Sequence, residues 1–264
     1  MQNWLLQTIL ERWLGSDKLA WYQQLDWEQA TAAFQQSEVD YPDYHRSQDF
    51  HGIQGGYLNS IAAITYDPIT RLASPPHEGW LRHQLLPYIH GHPQQILDLG
   101  CGTGSTTLLL KQHFPEATVV GLDLSPYMLV MANYKAQQTG LDIHWHHGLA
   151  ENTPWEASTF DLVTVSFLFH EMPPAVSQSV LQECFRLLQP RGQLLILDGS
   201  QRLLRHLGWL IDLFREPYSR VYATGCLSDW LTAAGFEAVH SRHVGFIHQI
   251  ATGDRPAPSP TPPL

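Results

Sequence analysis

A short apolar run that ends in a glycine-rich loop constrains this sequence more than any other feature. Residues 95–99 (QILDL) are followed by residues 100–104 (GCGTG), and a helical pattern then runs over residues 105–113. This order predicts a strand, a tight turn and a helix whose free N-terminal N–H groups face the turn. Glycine lets the backbone of such a turn approach a ligand closely. The segment therefore predicts an α/β fold with a ligand-binding loop.

The rest of the chain alternates between strand and helix patterns. Residues 160–169 (FDLVTVSFLF) are nearly all apolar, as expected of a strand buried on both faces. Strands are predicted at 95–99, 117–123, 142–147, 160–169 and 194–198. Helices are predicted at 105–113, 126–139, 176–188, 202–215 and 228–234, the last with Ser228 as its N-cap. A turn is predicted at 189–192, and a closing hairpin at 238–244 and 246–252. The predicted fold is a Rossmann-like α/β protein with a seven-stranded, mostly parallel sheet and a terminal antiparallel hairpin.

Three regions follow from the same patterns. Residues 1–76 are expected to form an N-terminal helical and irregular cap, which begins with an apolar stripe at helical spacing between Leu5 and Leu14. Residues 77–252 are expected to form the ligand-binding domain. Residues 253–264 hold five prolines and are expected to be a disordered tail.

Composition and charge restrict the classes of function. The chain has 264 residues, 44% of them hydrophobic, and a formal net charge of −10. Without a Lys/Arg cluster, this acidic balance predicts a small-molecule partner and no nucleic acid. The 3 cysteines are too widely spaced for a disulfide framework or a metal pair. With no signal-peptide pattern and no apolar run long enough to cross a membrane, a cytoplasmic protein is expected, and its oligomeric state stays open.

The spacing of the glycines distinguishes between kinds of nucleotide loop. A dinucleotide site expects G-x-G-x-x-G, whereas this loop has glycine at 100, 102 and 104 and Ser105 after them. No Gly-Lys-Ser/Thr follows, which excludes a P-loop. Asp123 ends the next predicted strand, where a carboxylate can accept both ribose hydroxyls of an adenosine. The ordered set of strand, loop, helix, strand and Asp favours a nucleoside cofactor over a glycine turn without a ligand.

In this arrangement the sequence resembles class I methyltransferases that use S-adenosylmethionine (SAM), especially those of the ubiquinone/menaquinone-biosynthesis type. The resemblance covers about residues 60–200. Its marks are Tyr66-Asp67, LDLGCGTG (97–104), VVGLDLSPYML (119–129), GLAENTPWEASTFDLV (148–163) and LLQPRGQLLILD (187–198). It implies an enzyme with SAM as its cofactor and a Rossmann-like methyltransferase domain.

The resemblance also implies cofactor contacts, residue by residue. Asp98 would lie near the amino group of SAM, and Asp123 would hold the ribose. The loop backbone at Gly100, Cys101, Gly102 and Gly104 would pass under the methionine portion, and Ser166 would lie near the methionine end. Leu124 would pack on the adenine, and Leu149 and Ala150 would lie at the adenine edge. The family often has Asp in place of Leu149, so the hydrogen bond to the adenine amino group must come from elsewhere or is missing.

His170 is the first catalytic candidate, because it follows the long apolar strand at the carboxyl end of the sheet, where open α/β sheets bind ligands. A histidine that is neutral near pH 7 can take a proton from a hydroxyl substrate. The alternative is a histidine that caps the next segment or bonds a loop carbonyl. Glu171 could orient the imidazole, although neighbouring residues on an extended chain point apart.

The next candidates are Tyr66 and the segment His51–Tyr57, because the resemblance places N-terminal elements over the active site as a lid. Tyr66 would reach the methionine end or the substrate; the alternative is a buried tyrosine that packs a helix on the sheet. His144, His146 and His147 are expected to form a polar edge strand and not a metal site, since no nearby Cys or carboxylate completes a ligand set.

Tryptophans outside the cofactor motifs suggest an apolar, aromatic acceptor pocket, if the N-terminal region and residues 202–222 both cover the site. The expected acceptor is therefore small and aromatic or lipophilic, such as a quinol. Two other functions stay open. One is a protein that binds SAM without catalysis, and the other is a nicotinamide-dependent oxidoreductase, which Ser105 disfavours.

Overall fold

A computed structural model describes residues 16–73 and 77–258. Its centre is a seven-stranded sheet with the strand order β3-β2-β1-β4-β5-β7-β6. The strands are β1 (Gln95–Leu99), β2 (Thr118–Asp123), β3 (His144–His147), β4 (Phe160–Ser166), β5 (Leu188–Gly199), β6 (Glu237–Val244) and β7 (His248–Asp254). Strands β1 to β5 pair in parallel, while β7 runs antiparallel to both β5 and β6. The predicted sheet and its terminal hairpin are confirmed.

The helices that the structure describes lie before, between and after the strands. They are α1 (Ser16–Gln24), α2 (Trp27–Ala32), α3 (Asp43–Arg46), α4 (Ser60–Ala73), α5 (Glu78–His83), α6 (Ser105–His113), α7 (Pro126–Thr139), α8 (Pro174–Leu187), α9 (Gln201–Leu204), α10 (Gly208–Phe214), α11 (Ser219–Tyr222) and α12 (Leu227–Ala233), with short 3₁₀ turns at Phe50–Gly52, Leu86–Tyr88 and Phe169–Glu171. In the described part of the chain, no helix is both long enough and apolar enough to span a membrane.

Both faces of the sheet are buried, which explains the nearly continuous apolar run of β4. Val163 and Val165 pack in a core cluster with residues of α8, such as Leu181. The intervening Leu162 packs in a second cluster with Leu110 of α6. Successive side chains of a strand point to opposite faces, so the two clusters cover the two faces of the sheet. The carboxyl ends of the strands are thereby fixed in position for a site.

The loop between β1 and α6 needs its glycines for two reasons. Gly100, Gly102 and Gly104 have φ angles of 66°, 54° and 77°, which lie in the left-handed region that favours glycine. A Cβ on Gly104 would also come within 2.7 Å of the Trp145 ring. The loop is therefore tightly curved, and its last glycine packs on β3 as α6 begins.

Several predicted boundaries differ from the structure. The turn expected at 189–192 lies inside β5, where a register shift between Phe160 and Leu162 of β4 takes up the irregularity. The predicted helix 202–215 is two short helices, because the backbone of Leu207 is not helical. Ser228 is not an N-cap, since α12 begins one residue before it and Cys226 takes the cap position.

The region after residue 252 also differs from the prediction. Strand β7 continues through Asp254, and the N–H of Arg255 donates to the carbonyl of Gly192 at 2.8 Å. Sheet pairing thus extends past the predicted start of the tail. The N-terminal apolar stripe, residues 1–15, and the last residues, 259–264, lie outside the described residues.

The N-terminal segments pack on α7 and on the carboxyl ends of β2 and β3. The Trp21 ring of α1 stacks on Tyr134 of α7 at a centroid distance of 4.0 Å. His147, at the end of β3, accepts the N–H of Gln36 at 3.1 Å through Nδ1, and its Nε2 lies 2.9 Å from the carbonyl of Leu124. These contacts tie the chain before α3 to the edge of the sheet where the loop lies.

Candidate active site

Two cavities adjoin at the carboxyl ends of the strands. The first, which we call the loop cleft, has a volume of about 720 Å³ and lies against the glycine loop and Asp123. The second, which we call the apolar pocket, has a volume of about 950 Å³ and lies between α4, α10 and the start of β7. Tyr57, Tyr66, Phe167 and Glu171 line both. A ligand in the loop cleft would therefore face one in the apolar pocket across a shared wall.

Asp123 is the fixed charged group of the loop cleft. Its carboxylate accepts the N–H of Gly102 at 2.7 Å and the N–H of Ser125 at 2.8 Å. Burial raises the pKa of Asp123 to about 6, although both backbone donors act to lower it. Because the two N–H groups hold the carboxylate in place, it is preorganised to accept further donors such as ribose hydroxyls.

The cleft has room and polar groups for a nucleoside. A Cβ on Gly102 would meet nothing within 4 Å, so the backbone there is open to a ligand. His45 lines the cleft, and its buried Nδ1 has no hydrogen-bond partner within residues 16–73 and 77–258. Burial lowers the pKa of His45, which favours an uncharged ring. An unpaired neutral imidazole beside a fixed carboxylate fits a ligand with several hydrogen-bonding groups, such as an adenosine.

Three of the predicted cofactor residues lie behind the lining of the cleft. Asp98 is buried and accepts hydrogen bonds from the hydroxyls of Thr107 at 2.6 Å and Thr164 at 2.7 Å. Burial raises the pKa of Asp98, while these hydrogen bonds lower it. Cys101 is also buried, and Gly104 packs on Trp145. These residues shape the loop, and their contact with a cofactor stays a prediction.

The other predicted cofactor residues line the loop cleft. They are Gly100, Gly102, Asp123, Leu124, Leu149, Ala150 and Ser166. Glu151, which the sequence analysis did not select, also lines it and accepts the Tyr44 hydroxyl at 2.7 Å. A carboxylate therefore lies two residues from Leu149, the position at which the family often has Asp.

His170 lines the apolar pocket within a group of carboxylates. Its Nδ1 donates to Asp198 at 2.5 Å, and its Nε2 lies 3.6 Å from Glu171 and 3.8 Å from Glu216. Burial acts to lower the pKa of His170, but the charge of Asp198, and then that of Glu216, raises it to about 10. The imidazole is therefore protonated at neutral pH, and the neutral ring assumed from the sequence is not what this environment favours.

Glu171 faces His170 because residues 169–171 form a 3₁₀ turn, not the extended chain that the sequence analysis considered. Its carboxylate accepts the Tyr57 hydroxyl at 2.5 Å and lies 3.3 Å from Nε2 of His51. Burial raises the pKa of Glu171, but the hydrogen bond from His51 and the nearby positive charge outweigh this and lower it. Glu171 is therefore an ionised link between the N-terminal segment and the end of β4.

Tyr66 lies on α4 in the shared wall, with its ring 6.0 Å from that of Tyr57 in an edge-to-face arrangement. Burial raises the pKa of Tyr66 well above its usual value, and the charge of Glu78 raises it further. Its hydroxyl therefore stays protonated, so it can donate a hydrogen bond but is not a base. The structure places Tyr66 in the wall between the two cavities, and its contact with SAM or the acceptor stays a prediction.

Comparison with known proteins identifies the family. A methyltransferase-domain model matches residues 96–192. A demethylmenaquinone methyltransferase of Thermus thermophilus is 32% identical over 220 residues, 75% of this chain and 99% of the relative. One of Lactiplantibacillus plantarum is 36% identical over 57% of this chain, which spans only 64% of that relative. The chain belongs to the SAM-dependent methyltransferase family.

A solved structure shows the same fold. A SAM-dependent methyltransferase of Aquifex aeolicus superposes with a TM-score of 0.57 and 21% identity, over 75% of this chain and 98% of that one. The family confirms SAM as the cofactor and transfer of a methyl group as the reaction class. The nicotinamide-dependent alternative is therefore excluded.

Sequence reasoning missed much of the apolar side of this methyltransferase. Asp198, Glu216 and His248 lie in or beside the apolar pocket, yet they are far apart in the sequence. Asp198 had a usable signal, because it ends a predicted strand at the carboxyl edge, as Asp123 does. His51 lies in the segment 51–57 that the sequence offered as a candidate, but its left-handed backbone, with φ of 54°, cannot be read from residue type.

Proposed function

We propose that this methyltransferase moves the methyl group of SAM to a lipophilic, quinol-type aromatic acceptor bound in the apolar pocket. The observation that carries the proposal is the wall shared by the loop cleft, which Asp123 lines, and a mostly apolar pocket that His170, Glu171 and Glu216 also line. The relatives from Thermus thermophilus and Lactiplantibacillus plantarum are named for demethylmenaquinone, which is a quinone, and this supports the same acceptor class.

Exposed apolar side chains around the pocket support a lipophilic acceptor. Trp209 and Leu213 of α10 are each 66% exposed, and Phe246, in the turn before β7, is 69% exposed. Their neighbours in the sequence, Leu210 and Ile247 among them, line the pocket. Large exposed apolar side chains next in sequence to pocket-lining residues are consistent with a surface for an apolar ligand. An apolar substituent of the acceptor would have a surface to lie on as it leaves the pocket.

The loop cleft is proposed to hold SAM through the residues that line it. Asp123 would accept the ribose hydroxyls, the backbone at Gly100 and Gly102 would pass under the methionine portion, and Ser166 would lie at the methionine end; all four residues line the cleft. Leu124, Leu149 and Ala150 pack around the adenine. Glu151 supplies the carboxylate for the adenine amino group, because it lines the cleft near Leu149.

We propose that His170 stabilises negative charge on the acceptor and does not act as a base. Bound SAM supplies an electrophilic methyl group, whose bond to sulfur breaks as its carbon joins the acceptor. The protonated His170 donates from Nε2 to a ring oxygen of the acceptor and stabilises the negative charge that develops when the acceptor loses a proton. Tyr66 forms the wall beside the reacting groups and donates a hydrogen bond from its protonated hydroxyl.

Glu216 is proposed to receive the proton that the acceptor loses. Glu171 already accepts the Tyr57 hydroxyl and faces His51. Oε2 of Glu216 accepts the Ser219 hydroxyl, while its Oε1, which lies 3.8 Å from Nε2 of His170, has no hydrogen-bond donor among the described residues. Glu216 lines the apolar pocket, so a bound acceptor can reach it. General bases of this kind contribute about 10²-fold to 10⁴-fold to the rate.

The test is transfer of labelled methyl from SAM to a short-chain demethylmenaquinol under anaerobic conditions. Replacing His170 by Gln and, separately, Glu216 by Gln is expected to lower kcat about 100-fold, with the affinity for S-adenosylhomocysteine unchanged. Asp212→Asn is the control, because Asp212 is an exposed carboxylate four residues before Glu216. Unchanged turnover of a variant removes that residue from the mechanism, and a preference for small polar acceptors rejects the acceptor class.

A further inference from the structure

A second histidine faces the apolar pocket and takes no part in the chemistry above. His248 is the first residue of β7, lines the pocket and is only 5% exposed. Its Nδ1 is buried and has no hydrogen-bond partner in the part of the chain that the structure describes. Leaving a buried polar atom unpaired costs about 1–3 kcal/mol. The ring of His248, which lines the pocket, therefore carries an unpaired polar atom.

The charge of His248 differs from that of His170. Burial lowers the pKa of His248 to about 4, the nearby charge of Asp198 raises it, and the histidines at 170 and 243 lower it. At neutral pH its ring is uncharged. Nδ1 of a neutral imidazole either accepts from a hydroxyl or donates to a carbonyl, depending on the tautomer. His248 is thus suited to a neutral oxygen.

The two imidazoles lie at the same end of the sheet. His170 is bound to Asp198, near the end of β5, and His248 is paired in register with the next residue, Gly199. The ring of Phe167, which lines both cavities, lies edge-to-face on His248 at 5.5 Å. The charged imidazole of His170 and the neutral imidazole of His248 therefore line one pocket, which His51 also lines, next to the wall that it shares with the loop cleft.

We propose that Nδ1 of His248 hydrogen-bonds a second oxygen of the acceptor ring, so that the pocket selects aromatic acceptors with two ring oxygens over those with one. The inference rests on the proposed function, because it places the acceptor in the apolar pocket. His170 binds the oxygen that becomes anionic, and His248 binds the one that stays neutral. A ring with a single hydroxyl leaves Nδ1 unpaired and binds more weakly.

Calorimetry without turnover tests this directly. The full chain is saturated with S-adenosylhomocysteine and titrated under anaerobic conditions with 1,4-dihydroxynaphthalene and with 1-hydroxynaphthalene. We expect the wild type to bind the diol about tenfold more tightly, the size expected for one buried hydrogen bond. His248→Phe keeps the ring but removes Nδ1, and its preference is expected to fall to about onefold through weaker binding of the diol alone. His248→Asn, which returns a polar atom near Nδ1, is expected to recover much of the preference.

Controls separate this inference from the proposed function. His243→Phe makes the same change at an exposed histidine of the same hairpin and should keep the full preference. Equal affinity of the wild type for the two naphthols overturns the role of His248, whether or not the variants fold, and so does a His248→Phe variant that keeps the tenfold preference. In both cases uptake of S-adenosylhomocysteine leaves the proposed function standing. A wild type that takes up no S-adenosylhomocysteine overturns both.

Discussion

The loop cleft and the apolar pocket share a wall but are built in different ways. The loop cleft takes its fixed polar groups from one strand–loop–helix–strand unit, where the N–H groups of Gly102 and Ser125 hold Asp123. The apolar pocket takes its polar groups from side chains on separate segments, among them His51, His170 and His248. A backbone-built cleft suits the cofactor, which every member of the family binds, while a side-chain-built pocket can change with the acceptor.

The largest predicted effect concerns the support of the shared wall. Arg82 and Glu78 are a buried pair, each 5% exposed, with Nε of Arg82 2.7 Å from the Glu78 carboxylate. Arg82 also donates to the hydroxyl of Thr106 and lies over the ring of Phe167 at 5.0 Å. Glu78→Ala leaves a buried guanidinium without its counter-ion, so we expect the free energy of unfolding in urea to fall by about 3–5 kcal/mol.

The matched control is Asp212→Ala, which breaks the exposed ion pair with Arg220. Exposed pairs contribute about 1 kcal/mol or less, so this variant should unfold at nearly the wild-type urea concentration. If the two variants lose the same stability, the pair at Glu78 is not what supports the wall.

The next effect is on cofactor affinity and its pH dependence. Asp123→Ala removes a charged acceptor for two hydroxyls and is expected to weaken binding of S-adenosylhomocysteine about 100-fold. The hydroxyls favour the ionised carboxylate, whose pKa is about 6 without ligand. Wild-type affinity should therefore rise as pH rises through 6 and be about tenfold lower at pH 5 than at pH 8.

Asp123→Asn provides the control for this pH dependence. The amide keeps the shape of the carboxylate but does not titrate, so calorimetry between pH 5 and pH 8 should lose the step near pH 6 that the wild type shows. A wild-type affinity that does not change over this range would show that the carboxylate does not contact the ligand.

The fold was predictable because its signals are local. The bounds of β1, α6 and α7 match the predicted ranges, since each is marked by a glycine turn, a helix start or a proline within a few residues. The region after β5 was predicted less well. A single helix was expected at 202–215, but the chain forms two short helices that are separated at Leu207, directly before Gly208.

The same difference holds in the candidate site, where groups set by local sequence order were predicted and groups brought together by packing were not. Gly102 and Asp123 line the loop cleft where the strand and loop order placed them. His170 was placed at the carboxyl edge of the sheet, where the structure has it. Its charge depends on Asp198 and Glu216, and no spacing in the sequence shows that these two carboxylates lie near it. His248 was not selected, because only the packed structure shows that its Nδ1 is buried and unpaired.

The smallest predicted effect concerns how the adenine is read with Leu149 in place of Asp. If Glu151 supplies the hydrogen bond, Glu151→Ala should weaken binding of S-adenosylhomocysteine about fivefold, the size of one hydrogen bond to the amino group. Leu149→Asp alone should change the affinity less than twofold, because that partner is already bound. In the Glu151→Ala background, Leu149→Asp should restore most of the lost affinity, and calorimetry of the four proteins gives the coupling energy.

Tyr44→Phe is the control for this cycle, because Glu151→Ala also removes the acceptor of the Tyr44 hydroxyl. If Tyr44→Phe weakens binding as much as Glu151→Ala does, the effect comes from the position of the N-terminal segment and not from the adenine. If Leu149→Asp raises the affinity equally in both backgrounds, the two positions act independently. Glu151 would then not replace the family's Asp. Affinity restored by Leu149→Asp in the Glu151→Ala background alone would instead show that the adenine edge of the loop cleft depends on a side chain, as the apolar pocket does.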